Sequence, residues 1–169
     1  MITNETFPPQ EDSAGYRRVR LRGSVRVPVD PKAAFLLFTP LGEERWAEGW
    51  DPHFLTPSDD DSEPGTVFEV LHGSQSSTWI VCGRELERSI SYARVVPGRS
   101  AGTITVTLDA RLEGSVATIE YDLTALSHAA EAELATFASH YEQFLAGWER
   151  AIAEVTRPRT RELPDELSG

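Results

Sequence analysis

Hydrophobic and polar residues alternate through the middle of this chain and then change period towards its end. Ile104, Val106 and Leu108 alternate with Thr103, Thr105 and Thr107, and Ile119, Tyr121 and Leu123 alternate with Thr118, Glu120 and Asp122. A period of two puts one set on each face of a β-strand. The same pattern predicts strands over residues 16–29, 66–72, 78–85, 89–96, 102–112 and 116–126. Short links such as Pro97-Gly98 and Glu113-Gly114 suit hairpins, so the sheet is expected to be largely antiparallel. One apolar face per strand is the pattern of a sheet covered on one side only.

After residue 126 the apolar spacing lengthens. Phe137, Tyr141, Phe144, Trp148 and Ile152 recur at intervals of three and four, which places an aromatic stripe along one face of a single long helix over residues 127–156. Ser127 is a suitable N-cap, Glu131 and Glu133 lie near the positive end, and Pro158 supplies the stop. Burying each stripe residue stabilises the fold by about 1.5–3 kcal/mol as an upper bound. Such a helix needs a curved sheet to lie against.

Between the first strand and the meander, Asp30-Pro31 opens a helix. The Asp accepts from exposed amides, and Pro at the first helical position has no amide to satisfy. Ala34, Phe35, Leu37 and Phe38 make that helix apolar, Thr39-Pro40 interrupts it, and a second short helix is expected over residues 41–47, ended by Gly49. Residues 51–65 hold Pro52, Pro57, Pro64 and the run Asp59-Asp60-Asp61, and read as a loop.

Length and composition frame these elements. With 169 residues, 40% hydrophobic and 25% charged, the chain suits one domain over residues 16–156, with a flexible leader at 1–15 and a polar tail at 157–169. A net charge of −11 argues against nucleic acid or an anionic membrane as partner. Arg18, Arg20, Arg22 and Arg26 share one strand face opposite Val19, Leu21, Val25 and Val27, either as a solvated outer face or as a dock for an acidic partner. A single cysteine, Cys82, excludes an internal disulfide, and four scattered histidines argue against a zinc site. No signal peptide and no membrane-spanning run is present, so the expectation is a cytoplasmic protein with no membrane insertion. No nucleotide loop, nucleophile elbow or zinc-protease helix occurs, and no cofactor is implied.

The order of strand, two short helices, antiparallel meander and long helix resembles the START-like superfamily, also called SRPBCC or Bet v 1-like. The residues carrying the resemblance are Val27-Pro28-Val29-Asp30-Pro31 leading into Phe35, Trp46 with Trp50-Asp51-Pro52, Tyr92-Ala93-Arg94-Val95, and the final helix ending in Trp148. The local likeness is to bacterial polyketide cyclase/dehydrase-like members. The resemblance implies an α+β helix-grip fold, in which a curved antiparallel sheet of about six strands wraps around the C-terminal helix with a hydrophobic cavity between them. It implies no particular ligand, because the superfamily includes lipid carriers, cyclases, oxygenase subunits and chaperone activators.

Candidate site residues follow from that cavity. Phe68, Val70, Trp79, Val81, Tyr92, Val106 and Tyr121, together with Leu108 and Leu123, form the expected sheet wall, and Phe137, Tyr141, Phe144 and Trp148 form the helix wall. The bland alternative is that these bulky groups fill the space as core. A one-residue bulge would invert the parity of the Trp79 and Tyr92 strands. Trp46, Trp50 and His53 offer a lid with a proton-transfer group, or else a loop pinned to the core with His53 outside. Tyr92, Tyr121 and Tyr141 offer hydroxyls, and only one lacking a protein partner favours ligand contact.

Among the lone polar residues, Glu69 and Asp109 are expected on the outer face, His72 at a strand end, His140 on a helix flank and Cys82 buried. The acidic run at 59–61 with Glu63 lacks an EF-hand pattern and reads as solvated.

Three functions compete. The leading one is binding of a small hydrophobic or amphipathic ligand such as a lipid, polyketide or aromatic metabolite. The second is an aromatase/cyclase-type enzyme working through His53, Tyr92, Tyr121 or His140. The third is an interaction module of the chaperone-activator or toxin-like type using the outer sheet face. A free sheet edge also offers a route to a homodimer.

Overall fold

The computed structural model describes residues 15–159, so most of the expected leader and tail lies outside the described residues. β1 (Arg18–Val27) is followed by α1 (Pro31–Leu37) and α2 (Pro40–Glu43). Then come β2 (Pro52–Phe54), β3 (Val67–His72), β4 (Gln75–Glu85), β5 (Ser89–Val96), β6 (Ser100–Arg111) and β7 (Gly114–Ala125). The chain closes with α3 (His128–Ser139) and α4 (Tyr141–Val155). All strand pairs are antiparallel in one sheet of order β1-β7-β6-β5-β4-β3-β2, so the last strand returns to the first.

Local chemistry explains the ends of the elements. The Asp30 carboxylate accepts from the Ala33 amide at 2.9 Å with Pro31 in the first turn, and the Thr39 hydroxyl caps α2 by accepting from Gly42 at 3.1 Å. Ser127 caps α3 in the same manner.

Three expectations need correction. The segment read as a loop over residues 51–65 begins with β2, which pairs with β3 and raises the sheet to seven strands. Its three-residue length and its Pro52 hid it from any periodicity, and both suit an edge strand. The C-terminal helix is broken at His140. There Ser139 Oγ, His140 Nδ1 and the His140 amide all engage the Thr136 carbonyl, and side chains that compete in this way for a helix carbonyl end a regular turn. The aromatic stripe nevertheless continues, because Phe137 touches both Tyr141 and Phe144 across the break. Cys82 is exposed rather than buried, since it is the extra residue of a bulge in β4 between Val81 and Gly83.

Because that bulge follows Val81, Trp79 and Val81 keep the inward parity, together with Tyr92 on β5. The helices cover this concave face. Gly23 makes the approach of α4 possible, because a Cβ there would run into Leu145 Cδ1. The Tyr141 hydroxyl then ties α4 to β7 by donating to the Ile119 carbonyl at 2.7 Å.

The arginine face of β1 is solvated and internally paired. Arg18 and Arg20 meet Asp122, and Arg22 meets Glu120, on the neighbouring β7. The Arg26 amide and guanidinium both donate to Glu149 of α4, which blocks part of the free edge of β1.

The acidic segment is likewise engaged. Asp60 pairs with Arg84 at 2.6 Å, and Asp61 accepts from the Leu41 amide at 2.8 Å, which fastens the long connection to α2. The described residues contain no helix long and apolar enough to cross a membrane.

Candidate ligand cavity

The turn that follows α2 carries the first wall of the cavity. The amides of Trp46 and Ala47 both donate to the Glu43 carbonyl, and the left-handed Gly49 (φ 72°) redirects the chain towards Trp50. The indole N–H of Trp46 donates to the Leu37 carbonyl and that of Trp50 to the Pro40 carbonyl, at 2.8 and 2.7 Å. Both rings are therefore fixed by their polar edges while their faces stay apolar and available. The two roles weighed for this pair coexist: they pin the loop and they line the cavity.

The sheet supplies Trp79, Tyr92, Arg94, Ile104, Val106 and Tyr121, and α4 supplies Phe144, Gly147, Trp148 and Ala151. Between them lies a space of about 520 Å³, with exposed Glu48, His72 and Gln143 at its rim. Volumes of about 300–1,000 Å³ with apolar walls and few polar groups are typical of small-molecule sites. All four tryptophans of the chain face this one space. The rings brace one another: Trp46 meets Trp148 at 5.0 Å and Trp50 meets Trp79 at 5.2 Å, both edge-to-face.

A wider depression of about 810 Å³ lies at the far end of β1 and the β6–β7 hairpin, but no aromatic residue lines it. Its polar groups include Arg26 and Glu149, already bonded to each other, and Ser115, which donates to the Val29 carbonyl. The cavity beneath α4 is the better candidate for that reason.

Three polar side chains distinguish the cavity. Of the tyrosines, Tyr92 donates to the Phe38 carbonyl and Tyr141 to the Ile119 carbonyl, each at 2.7 Å, but the Tyr121 hydroxyl has no hydrogen-bond partner among the described residues. Burial raises the pKa of Tyr121, opposed in part by the nearby Arg94 charge, so the phenol stays protonated. Glu43 is buried without a charged partner, and desolvation pushes its carboxyl well above the ordinary carboxylate range. Arg94 lies over the face of Trp79 at 5.6 Å and donates to the Ser100 hydroxyl at 3.2 Å, while its Nε is buried with no partner among the described residues.

Of the residues expected at the site, the structure brings Trp46, Trp50, Trp79, Tyr92, Val106, Tyr121, Phe144 and Trp148 to one cavity. Phe68, Val70 and Val81 lie beneath it as fully buried core, where Phe68 stacks on Trp79. Tyr141 and Phe137 support it from behind, each packing edge-to-face on the Tyr121 ring. His53 is outside: it is exposed on β2, where its inward neighbours are Pro52 and Phe54, and it faces Asp51 at 3.3 Å. His140 is an exposed helix-flank residue, and His72 stands at the cavity mouth.

Among the lining residues that escaped the sequence reading, along with Ile104, Gly147 and Ala151, two carry the cavity's ionisable chemistry, Arg94 and Glu43. Arg94 carried a usable signal, since it shares the inward parity of Tyr92 two residues earlier. Glu43 carried none, because a one-turn helix followed by an irregular turn has no readable period.

Comparison with known proteins agrees with this fold. No family model and no curated protein matches the sequence. Solved structures do match in shape. Ginseng major latex-like protein 151 from Panax ginseng is similar with a TM-score of 0.63 at 14% identity, over 83% of this chain and 99% of that one. CalU16 from Micromonospora echinospora is similar with a TM-score of 0.53 at 18% identity, over 82% of this chain and 77% of that one. The chain has the START-like helix-grip fold. The Aha1 dimer from Colwellia psychrerythraea shares it with a TM-score of 0.57 at 12% identity, over 82% of this chain and 99% of that one. Identities this low speak for the helix-grip fold alone, and the function has to be argued from the cavity.

Proposed function

We propose that this protein binds a small amphipathic molecule in the cavity between the sheet and α4. The observation that carries the reading is the Tyr121 hydroxyl, which lines an aromatic cavity of about 520 Å³ and makes no hydrogen bond with any described residue. A polar atom left free in an apolar enclosure is a natural point of contact for a ligand acceptor. The tryptophan faces supply rigid apolar area at little entropic cost, and exposed Glu48, His72 and Gln143 form a wet rim. Native mass spectrometry of gently purified protein, with thermal shifts across a hydrophobic ligand panel, tests the proposal. Co-purifying mass or ligand-dependent stabilisation supports it; an empty protein that no ligand stabilises sinks it.

A second reading, proton-transfer chemistry on the bound molecule, draws on Glu43. A carboxyl whose pKa is raised by burial is a candidate general acid, and it shares the cavity with Tyr121. This enzyme would work through Glu43 and Tyr121, since His53 and His140 are turned away from the cavity. Loss of turnover with retained ligand binding in Glu43→Gln would favour it.

A further inference from the structure

We infer that the cavity selects ligands carrying an anionic oxygen group, which Arg94 and the Tyr121 hydroxyl receive together. The inference rests on the ligand-binding reading above and deepens it.

The argument begins with what Arg94 lacks. Its side chain is placed inward by the strand parity of β5, and its Nε is buried without a partner among the described residues. Its one side-chain hydrogen bond goes to a neutral hydroxyl, that of Ser100. No carboxylate of the described residues stands within 4.0 Å of it, although every arginine of β1 from Arg18 to Arg26 has one. The nearby acidic groups are otherwise engaged. Glu133 pairs with Arg99, Glu43 forms no ion pair with Arg94 among the described residues, and Glu48 is exposed at the rim. An unpaired guanidinium in a low-dielectric enclosure is unfavourable unless an anion or water completes it.

Arg94 lines this cavity and also a smaller one of about 160 Å³ that it shares with Ser100 and Glu133, so its guanidinium borders both spaces. Trp79 covers one face of the guanidinium, which leaves its N–H edges as the reactive side. Tyr121 lines the same cavity, and the ladder puts it on the same sheet face as Arg94, where Gly102 opposite Arg94 on β6 carries no side chain to separate them. The guanidinium can only donate, and the phenol O–H can donate to an oxyanion beside it. A carboxylate or similar oxyanion matches this pair; an alcohol or ester leaves the cation uncompensated.

The test compares decanoate with decanol and methyl decanoate at neutral pH, read by isothermal titration and by tryptophan fluorescence. Wild type is expected to bind decanoate at least about tenfold more tightly than either uncharged probe, equivalent to about 1.4 kcal/mol. Arg94→Met is expected to abolish that preference and leave decanol affinity within about twofold. Tyr121→Phe, which conserves shape, is expected to weaken decanoate several-fold and decanol by less, so that the preference narrows, and it decides the matter if Arg94→Met fails to fold. Equal affinity for all three probes in wild type, or an unchanged preference in the variants, overturns the inference while ligand binding stands. Failure of all three probes, with no stabilisation by the wider ligand panel, overturns the ligand-binding reading and the inference with it.

Discussion

The Tyr92 hydroxyl donates to the Phe38 carbonyl at 2.7 Å, bonding a central strand to the end of the first helix across 54 residues of chain. Tyr121, on β7, makes no such bond, so two inward tyrosines of the same sheet have different duties. Replacing Tyr92 by Phe strands a buried carbonyl and is expected to destabilise the protein by about 1–3 kcal/mol. Tyr121→Phe removes a hydroxyl with no protein partner and is expected to change stability by less than about 0.5 kcal/mol. Urea denaturation of both variants checks the contrast; comparable losses would show that the Tyr121 hydroxyl has a structural role.

Glu43 gives the protein a specific pH response. Its folded carboxyl holds its proton well above the ordinary value of 4.5, so between that value and the raised one the folded state binds more protons than the unfolded state. Stability is therefore expected to fall as pH rises through that window. Asp60, Asp122 and Glu149 act in the opposite sense, since arginine partners depress their pKa and their contribution is lost in acid. Glu43→Gln leaves those three untouched. The variant should be more stable than wild type at neutral pH and show no decline from about pH 4.5 upward, measured by melting temperature across a pH series.

Gly147 faces the cavity from within α4, and a Cβ added there meets no atom within 4 Å. Gly147→Ala is expected to stabilise the helix by about 0.5–1 kcal/mol, because it restricts the unfolded chain without a clash. Gly147→Leu projects a larger side chain into the same space and should weaken ligand binding while the protein stays folded. Denaturation midpoints and ligand titration separate these two effects. A destabilised Gly147→Ala would mean that the space is already filled.

Gly23 predicts the reverse. Its missing Cβ is what lets Leu145 rest on β1, so Gly23→Ala overpacks the contact at a cost of about 1–3 kcal/mol. Combining it with Leu145→Ala should recover part of that loss, which a double-mutant cycle would register as favourable coupling. Simple additivity would show that α4 is positioned by other contacts.

The alternation of Ile104, Val106 and Leu108 against threonines, and the spacing of Phe137, Tyr141, Phe144 and Trp148, were enough to specify the long strands, the helical stripe and their order, and the resemblance of that order to START-like proteins implied the helix grip. Burial forces those periods onto the chain wherever one face meets a core, so they are legible without coordinates. The small departures had no such period. β2 is three residues long, and the break at His140 arises from side chains competing for the Thr136 carbonyl, while the stripe passes through it unchanged.

The division of labour within the cavity was decided by tertiary structure alone. Pattern places Phe68, Val70 and Tyr121 inward alike, but the tertiary packing makes the first two fully buried core and leaves the third at an open space. Whether a hydroxyl is free depends on which carbonyl passes within reach, as Phe38 does for Tyr92 and Ile119 for Tyr141. Those partners come from distant segments, and no local period encodes them. The sequence thus determined that an aromatic helix must close over a one-sided sheet. Only the packing of the two determined that Arg94, Glu43 and Tyr121 would be left facing what lies between them.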